Sequence, residues 1–244
     1  MRLSAITLFL FCFARVSGNP IVVELEKLEV LKRSEVLELR VGSEFTTISA
    51  TLTYVAAPDF VKRESPEDQP AFVDLQIPIF AKDDLDLTAD ALVRFHDVQV
   101  DIGTVRLPVT YLGRYTRAEI ERWRTSRDEK YWTVPRGSVL LFFGARLPIE
   151  VVEKSESVIV TYRQAHVKRR GRPYVLYTPF FENYAIWSSV RKDGFDFRAF
   201  VTSDDGILAI VEGPRNEFGP KDDKGRPAYL LDHMKHIWTE VKKG

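Results

Sequence analysis

The densest run of positive charge is the part of the sequence that points most clearly to chemistry. It spans residues 163–172, and its last part contains the four residues that we predict to bind a partner: Lys168, Arg169, Arg170 and Arg172. Guanidinium groups hold carboxylate, sulfate or phosphate through paired hydrogen bonds. We therefore expect an anionic surface, a polysaccharide or another exported protein as the partner. The alternative is that these charges are simply solvated and keep a strand end from joining another sheet.

One pattern near the C-terminus resembles a metal site, namely the pair His233 and His236 together with Glu240. On a helix, with about 100° between successive residues, these three side chains would share one face. Zinc sites more often use histidines four positions apart, with a further ligand from elsewhere. Polar residues are also expected beside the apolar stripe of an amphipathic segment. We predict no metal site and no cofactor.

Aromatic residues are concentrated between Tyr174 and Trp187. Exposed rings on a β-surface can stack on sugars, whereas buried rings are an ordinary part of a β-sandwich core. A secreted carbohydrate-active enzyme or a carbohydrate-binding module is therefore the alternative function that the sequence leaves open.

The common catalytic motifs do not occur in this sequence. It contains no Gly-x-Ser-x-Gly elbow, His-Glu-x-x-His helix, phosphate-binding loop or Rossmann glycine series. Adjacent carboxylates stand where turns are expected, because aspartate favours turns for backbone reasons; these pairs are Asp83-Asp84, Asp204-Asp205 and Asp222-Asp223. We predict no catalytic residue. The sequence favours an exported non-catalytic binding or assembly protein that contacts its partners through strand edges or a basic hairpin tip.

The elements that must position these residues are mainly strands. Apolar and polar residues alternate from Ile21 onward, as in residues 37–41, and β-branched and aromatic residues are frequent. This pattern predicts an all-β fold that is mainly antiparallel and sandwich-like, with Ig-type character. Strands predicted over residues 158–162 and 174–177 place the basic run at a hairpin tip. A further strand is predicted over residues 93–102.

Two Asp-Gly turns predict three successive antiparallel strands in the last third of the chain. Asp193-Gly194 and Asp205-Gly206 separate apolar runs at residues 185–190, 195–201 and 207–211. Asp-Gly readily adopts the positive φ angles that a tight hairpin turn needs.

Two helices are predicted beside the strands. The first, near residues 117–127, begins with a capping box, in which Thr116 and Glu119 bond each other's backbone N–H groups. The second, near residues 227–242, has Pro227 at its first position and an apolar stripe at helical spacing. That stripe comprises Leu230, Leu231, Met234, Ile237, Trp238 and Val241.

The first 18 residues have the layout of a secretory signal peptide, with an early basic residue, a short apolar run and small residues at its end. The single cysteine, Cys12, lies within them, so we expect a mature chain without disulfides. No Asn-x-Ser/Thr sequon and no second apolar run long enough to span a bilayer occur. These features favour an exported bacterial protein in the periplasm or outside the cell.

The charge balance argues against a nucleic-acid partner. The chain has 35 basic and 35 acidic residues, and such a balance gives no general attraction to a polyanion. After the signal peptide we distinguish a β-rich first half, residues 19–112, and a second half, residues 113–244, with a helix, strands and the C-terminal helix. Together they are long enough for one continuous domain or for two.

Overall fold

The structure is a computed structural model. It describes residues 21–22, 30–56, 72–119, 134–148, 150–151, 154, 156–177, 196–212, 218–219, 228–230 and 237–244. Its strands are β1 (Ile21–Val22), β2 (Val30–Val41), β3 (Phe45–Ala56), β4 (Phe72–Lys82), β5 (Gln99–Ile102), β6 (Val105–Leu107), β7 (Val109–Tyr115), β8 (Ser138–Pro148), β9 (Val158–Ala165), β10 (Val167–Arg169), β11 (Arg172–Tyr177), β12 (Asp196–Ser203), β13 (Ile207–Glu212), β14 (Phe218–Gly219), β15 (Ala228–Leu230) and β16 (Ile237–Lys243). A helix, α1 (Ala89–Phe95), lies between β4 and β5.

Two sheets face each other and form the main core. The large sheet has the strand order β14-β15-β12-β2-β3-β9-β5-β6, and the second sheet has the order β1-β4-β8-β7. Alternate side chains of the large sheet, such as Leu37 and Leu39 of β2, are buried against Ile77 of β4 and Phe143 of β8 in one cluster. The predicted all-β, sandwich-like fold is thereby confirmed.

A third sheet, in the order β10-β11-β16-β13, covers the opposite face of the second sheet. Phe80 and Phe142 of the second sheet pack there with Val167, Tyr174 and Leu176. Strand β8 is consequently buried on both faces from Ser138 to Ala145. Burial on both faces explains why this segment is apolar at nearly every position instead of alternating.

Gln164 of β9 connects all three sheets. Its side chain is almost fully buried. The Oε1 atom accepts a hydrogen bond of 3.2 Å from the backbone N–H of Phe80 in the second sheet. The Nε2 atom donates one of 2.9 Å to the carbonyl of Leu176 in the third sheet. Two buried backbone groups thus obtain their partners from one amide.

The C-terminal helix predicted over residues 227–242 is wrong where the structure describes this segment. Residues 228–230 and 237–243 are strands, and β16 pairs antiparallel with both β11 and β13. Apolar residues at Ile237 and Val241 fit a helical period, but with Thr239 they also alternate at a period of two. All three residues are β-branched and favour a strand. Strand pairing decides the conformation, because the backbone N–H and C=O groups of β16 find hydrogen-bond partners in β11 on one side and in β13 on the other.

The three successive antiparallel strands are also not formed as predicted. The turn exists, with Gly206 at φ +73° and the N–H of Ile207 bonded to the carbonyl of Asp204 at 3.0 Å. However, β12 pairs parallel with β2 in the large sheet, whereas β13 pairs with β16 in the third sheet. The turn therefore moves the chain from one sheet to another. The run predicted at residues 185–190 lies outside the described residues.

The helix predictions had mixed outcomes. The first predicted helix begins as expected: residues 117–119 are helical, and Glu119 and Thr116 form both bonds of the capping box, at 2.7 and 3.3 Å. Its remainder lies outside the described residues. Helix α1, whose N-cap is Thr88, was not predicted, and its end falls in the strand predicted over residues 93–102, which in fact starts at Gln99. Within the described part of the chain, no helix is long and apolar enough to cross a bilayer.

We expect Gln164→Leu to lower the free energy of unfolding by about 2 to 4 kcal/mol, because it leaves two buried backbone groups without a partner. Urea denaturation followed by tryptophan fluorescence measures this loss. Gln76→Leu on β4, where the side chain is only half-buried, is the matched control and should change stability much less. Equal losses in the two variants would contradict a junction role for Gln164.

A second prediction concerns His96, which is fully buried after α1. Burial lowers the pKa of His96 below its ordinary value of 6.5, and the positive charge of Arg163 lowers it further. The hydrogen bond of 2.8 Å from Nδ1 of His96 to the carbonyl of Arg163 acts in the opposite direction and offsets part of this decrease. The unfolded chain therefore binds this proton at a higher pH than the folded chain does. It follows that stability falls as the pH drops below the unfolded value.

Unfolding free energies measured at about pH 7.5 and about pH 5.5 should show this loss, and His96→Asn should reduce it, because asparagine can keep the bond to Arg163 without titrating. Burial also lowers the pKa of His166, so His166→Asn should likewise reduce the loss of stability at the lower pH. An unchanged pH dependence in the His96→Asn variant would show that this ring does not titrate on unfolding.

Candidate functional site: a basic hairpin

The four residues predicted to bind lie together on one β-hairpin, formed by β10 and β11. Lys168 pairs with Pro173 and Arg169 pairs with Arg172. Between them, Arg170 and Gly171 have φ angles of +51° and +79°. Positive φ at both central residues is typical of the two-residue turns that match the twist of a hairpin. We call this element, residues 167–177, the basic hairpin.

Apolar residues of the basic hairpin anchor it to the second sheet. Val167, Tyr174 and Leu176 are buried among Phe80 and Phe142. Because side chains alternate along a strand, burial of Val167 turns Lys168 outward, and Lys168 is exposed. The hairpin therefore presents its charges from a backbone that the core already holds.

Arg172 and Lys242 share one carboxylate, that of Glu240 on the neighbouring strand β16. The Nη1 atom of Arg172 lies 2.8 Å from Oε1, and the Nζ atom of Lys242 lies 3.4 Å from Oε2. The Glu240 side chain is only 7% exposed, whereas that of Arg172 is 65% exposed. Burial alone would raise the pKa of Glu240, but the hydrogen bond from Arg172 and the charge of Lys242 bring it below its ordinary value.

The remaining basic residues of the hairpin differ in their surroundings. Arg169 lies over the ring of Tyr174, with its guanidinium carbon 5.6 Å from the ring centroid, a cation–π arrangement. Lys168 and Arg170 are exposed, and neither forms an ion pair with another described residue. Residues 167–177 and 237–242 together carry five basic side chains and one carboxylate, that of Glu240. The local charge is therefore strongly positive although the chain as a whole is neutral.

This arrangement can hold an anion. Exposed guanidinium groups bind carboxylate, sulfate or phosphate oxygens. The turn fixes the backbone, so less conformational freedom is lost on binding. The structure also supports the alternative that these charges protect a strand edge. Strand β10 is an edge strand of the third sheet, and lysine on an edge strand discourages pairing with another chain.

The structure separates Arg163 from the rest of the basic run. The strand predicted over residues 158–162 was expected to pair with that at 174–177, and this pairing is wrong: β9 pairs with β3 and β5 in the large sheet, and the short strand β10 takes its place in the hairpin. Arg163 therefore lies on the large sheet, whereas the basic hairpin belongs to the third sheet. Its backbone N–H and carbonyl both bond to His96, and its side chain lies over Phe45. No pattern in the sequence pairs Arg163 with Phe45, because only the register of β3 and β9 brings the two residues together.

The other residues that the sequence singled out do not form a site within the described residues. His233 and His236 lie outside them, and Glu240 is bonded to Arg172. Among the residues that the structure describes, no group of three or more potential metal-binding side chains occurs. Tyr174 and Tyr177 are buried, so these two rings belong to the core, whereas the remaining aromatic residues up to Trp187 lie outside the described part.

One carboxylate of each described Asp-Asp pair makes an ion pair within the fold. Asp83 is paired with Arg114 at 2.7 Å, and Asp204 with Arg40 at 2.8 Å. Asp222-Asp223 lies outside the described residues.

Neither a protein-family model nor a curated protein matches this chain. Native leukotriene A4 hydrolase from Saccharomyces cerevisiae aligns with it at 10% identity and a TM-score of 0.41, over 93% of this chain and 31% of that enzyme. An M1 zinc metallopeptidase from Deinococcus radiodurans aligns at 12% identity and a TM-score of 0.30, over 88% of this chain and 39% of that one. The chain thus spans well under half the length of either enzyme. At these TM-scores the likeness carries no argument about function.

We expect Glu240→Gln to strengthen retention on a heparin column, because it releases Arg172 and Lys242 from their carboxylate and leaves the hairpin more positive. Asp101→Asn is the matched control, because Asp101 also pairs with an exposed arginine, Arg106 at 2.8 Å, but on the β5–β6 hairpin. The salt concentration at elution is the measurement. Equal shifts in the two variants would show that only overall charge matters and would contradict a local site.

Proposed function

We propose that this chain is an exported, non-catalytic binding protein that holds an anionic partner on the basic hairpin. The observation that supports this proposal is the concentration of four basic side chains on a hairpin whose apolar side is anchored in the core, beside a strand that adds Lys242 and the single carboxylate of Glu240. The proposal takes the first 18 residues to be an export signal. It also takes the absence of catalytic motifs in the sequence to favour binding over turnover.

Charged side chains on the hairpin suit an anionic partner better than an apolar surface would. A cluster of exposed cations attracts a polyanion over about one Debye length, roughly 8 Å at physiological salt. Paired hydrogen bonds from arginine then orient carboxylate or sulfate groups at contact. Binding of this kind is salt-dependent, because each contact displaces counterions from both partners.

Strand edges offer a second route for protein partners. Strand β13 ends the third sheet within the described chain, and its residue Leu208 is 51% exposed. An extended segment of another protein could add to such an edge through backbone hydrogen bonds. We place this route second, because the basic hairpin carries a specific chemistry and the edge does not.

Replacing Lys168 and Arg170 by serine tests the proposal with little risk to folding, because both side chains are exposed and neither forms an ion pair with another described residue. We expect this double variant to bind heparin about tenfold more weakly, with unchanged thermal stability. Lys82→Ser with Arg94→Ser removes the same charge from two exposed positions elsewhere and should bind nearly as the wild type does.

The full variant, in which Arg169 and Arg172 are also replaced by serine, should abolish retention on heparin and on vesicles that contain anionic lipid. Unchanged retention of the full variant would remove the proposal. Hydrolysis of a polysaccharide panel by the wild-type protein would instead support the carbohydrate-active alternative.

A further inference from the structure

An open groove lies on the outer face of the large sheet, away from the basic hairpin. Its volume is about 380 Å³, and its polar lining includes Arg40, Glu44, Thr47, Arg163 and Asp204. Strand pairing brings three of these residues into one row across the sheet. Arg40 of β2 pairs with Thr47 of β3, which in turn pairs with Arg163 of β9. Neighbouring strands are about 4.8 Å apart, so the backbones of the two arginines lie one strand to either side of Thr47.

Both guanidinium groups keep hydrogen-bond donors available. Asp204 bonds to the Nε atom of Arg40 at 2.8 Å, and among the described residues no other acceptor contacts this guanidinium. Arg163 lies over the ring of Phe45 at 4.6 Å from its centroid, and within the described residues it is paired with no carboxylate. A ring face attracts a cation but accepts no hydrogen bond in the guanidinium plane. The planar N–H groups of Arg163 are therefore open to an incoming oxygen atom.

The groove is built by contacts that hold these groups in place. A Cβ atom on Gly42 would lie 3.0 Å from the carbonyl oxygen of Phe45 and 3.1 Å from Oδ2 of Asp204, so a larger residue would push these atoms apart by a few tenths of an ångström. The backbone N–H of Asp204 is also bonded to the carbonyl of Val41 at 2.9 Å. These contacts set the side of the groove formed by Arg40 and Asp204.

The opposite side of the groove is backed by α1. The ring of Phe45 packs edge-on against Phe95, with centroids 5.5 Å apart. The N–H of Arg163 donates to the carbonyl of His96 at 2.6 Å, and the ring of His96 returns a bond of 2.8 Å to the carbonyl of Arg163. Arg163 thus has a fixed backbone and a stacked side chain, which lowers the entropy that binding would cost.

We propose that this groove binds one oxyanion group of a small ligand, held between Arg40 and Arg163 with the hydroxyl of Thr47 as a further donor. The two arginines are balanced by the carboxylates of Glu44 and Asp204. This balance gives no long-range attraction to a polyanion, so the groove is suited to a ligand with a single carboxylate, sulfate or phosphate group. The site is independent of the basic hairpin and of the function proposed for it.

The test is a titration of ¹⁵N-labelled protein with sodium sulfate, sodium phosphate or sodium glucuronate, each at constant ionic strength set by chloride. We expect saturable shifts of the backbone signals of residues 40–47 and 163. The three arms distinguish sulfate, phosphate and carboxylate as the preferred group. Shifts that rise linearly without saturation in all three arms would overturn the proposal.

Variants separate specific binding from a general charge effect. Arg163→Gln should weaken binding by about tenfold or more, and Thr47→Val should weaken it by a few-fold, because each removes hydrogen-bond donors from the groove. Arg106→Gln removes an exposed arginine on β6 and should bind as the wild type does. Equal affinity in the Arg163→Gln and Arg106→Gln variants would overturn the proposal.

Two further variants keep the test decisive. Arg163→Lys retains the charge but not the planar donors, so it should bind more weakly than the wild type even if Arg163→Gln does not fold. The Lys168→Ser, Arg170→Ser double variant should leave the groove signals and their affinity unchanged. A loss of groove binding in that double variant would show that the shifts report anions at the hairpin and would overturn an independent site.

Discussion

The second sheet is covered on both faces, and the rest of the structure depends on this double burial. A strand buried on both faces cannot leave polar groups to be satisfied by water, so its backbone needs partners within the protein. Gln164 provides one for Phe80 and another for Leu176. Because a single amide of the large sheet bonds to both other sheets, the basic hairpin on the third sheet is held in a defined position against the core.

Buried polar residues connect parts of the chain that are far apart in sequence. Glu35 occupies an inward position of β2, where alternation would predict an apolar residue, and accepts a hydrogen bond from the hydroxyl of Tyr177. Burial, reinforced by the charge of Glu35, raises the pKa of Tyr177 well above its ordinary value, so the phenol stays a donor. A slip of β2 by one residue would place Glu35 in water and break this bond, which helps to specify the register of the large sheet.

The two candidate binding surfaces differ in how their charge is arranged. In the basic hairpin and the adjoining strand β16 up to Lys242, five basic residues outnumber one carboxylate, and a field of this kind acts over several ångströms before contact. In the groove, two arginines and two carboxylates balance, so selectivity must come from hydrogen-bond geometry at short range. A neutral chain can therefore carry two anion-binding surfaces with different ligand classes, because local arrangement and not net charge sets the potential at each.

By itself the sequence determined what depends on near neighbours: the all-β class, a chain reversal within the basic run, the capping box at Thr116 and the turn at Asp205-Gly206. Alternation, turn chemistry and capping are local, and so they can be read from consecutive residues. Only the tertiary structure decided which strands pair. It made residues 237–243 a strand between β11 and β13, sent β12 and β13 to different sheets, and aligned Arg40, Thr47 and Arg163. Several of these pairings join residues that are distant in sequence, such as Thr47 with Arg163 and Leu37 with Ala199. Backbone hydrogen bonds are the same for every residue type, so burial of the side chains decides which strands become partners.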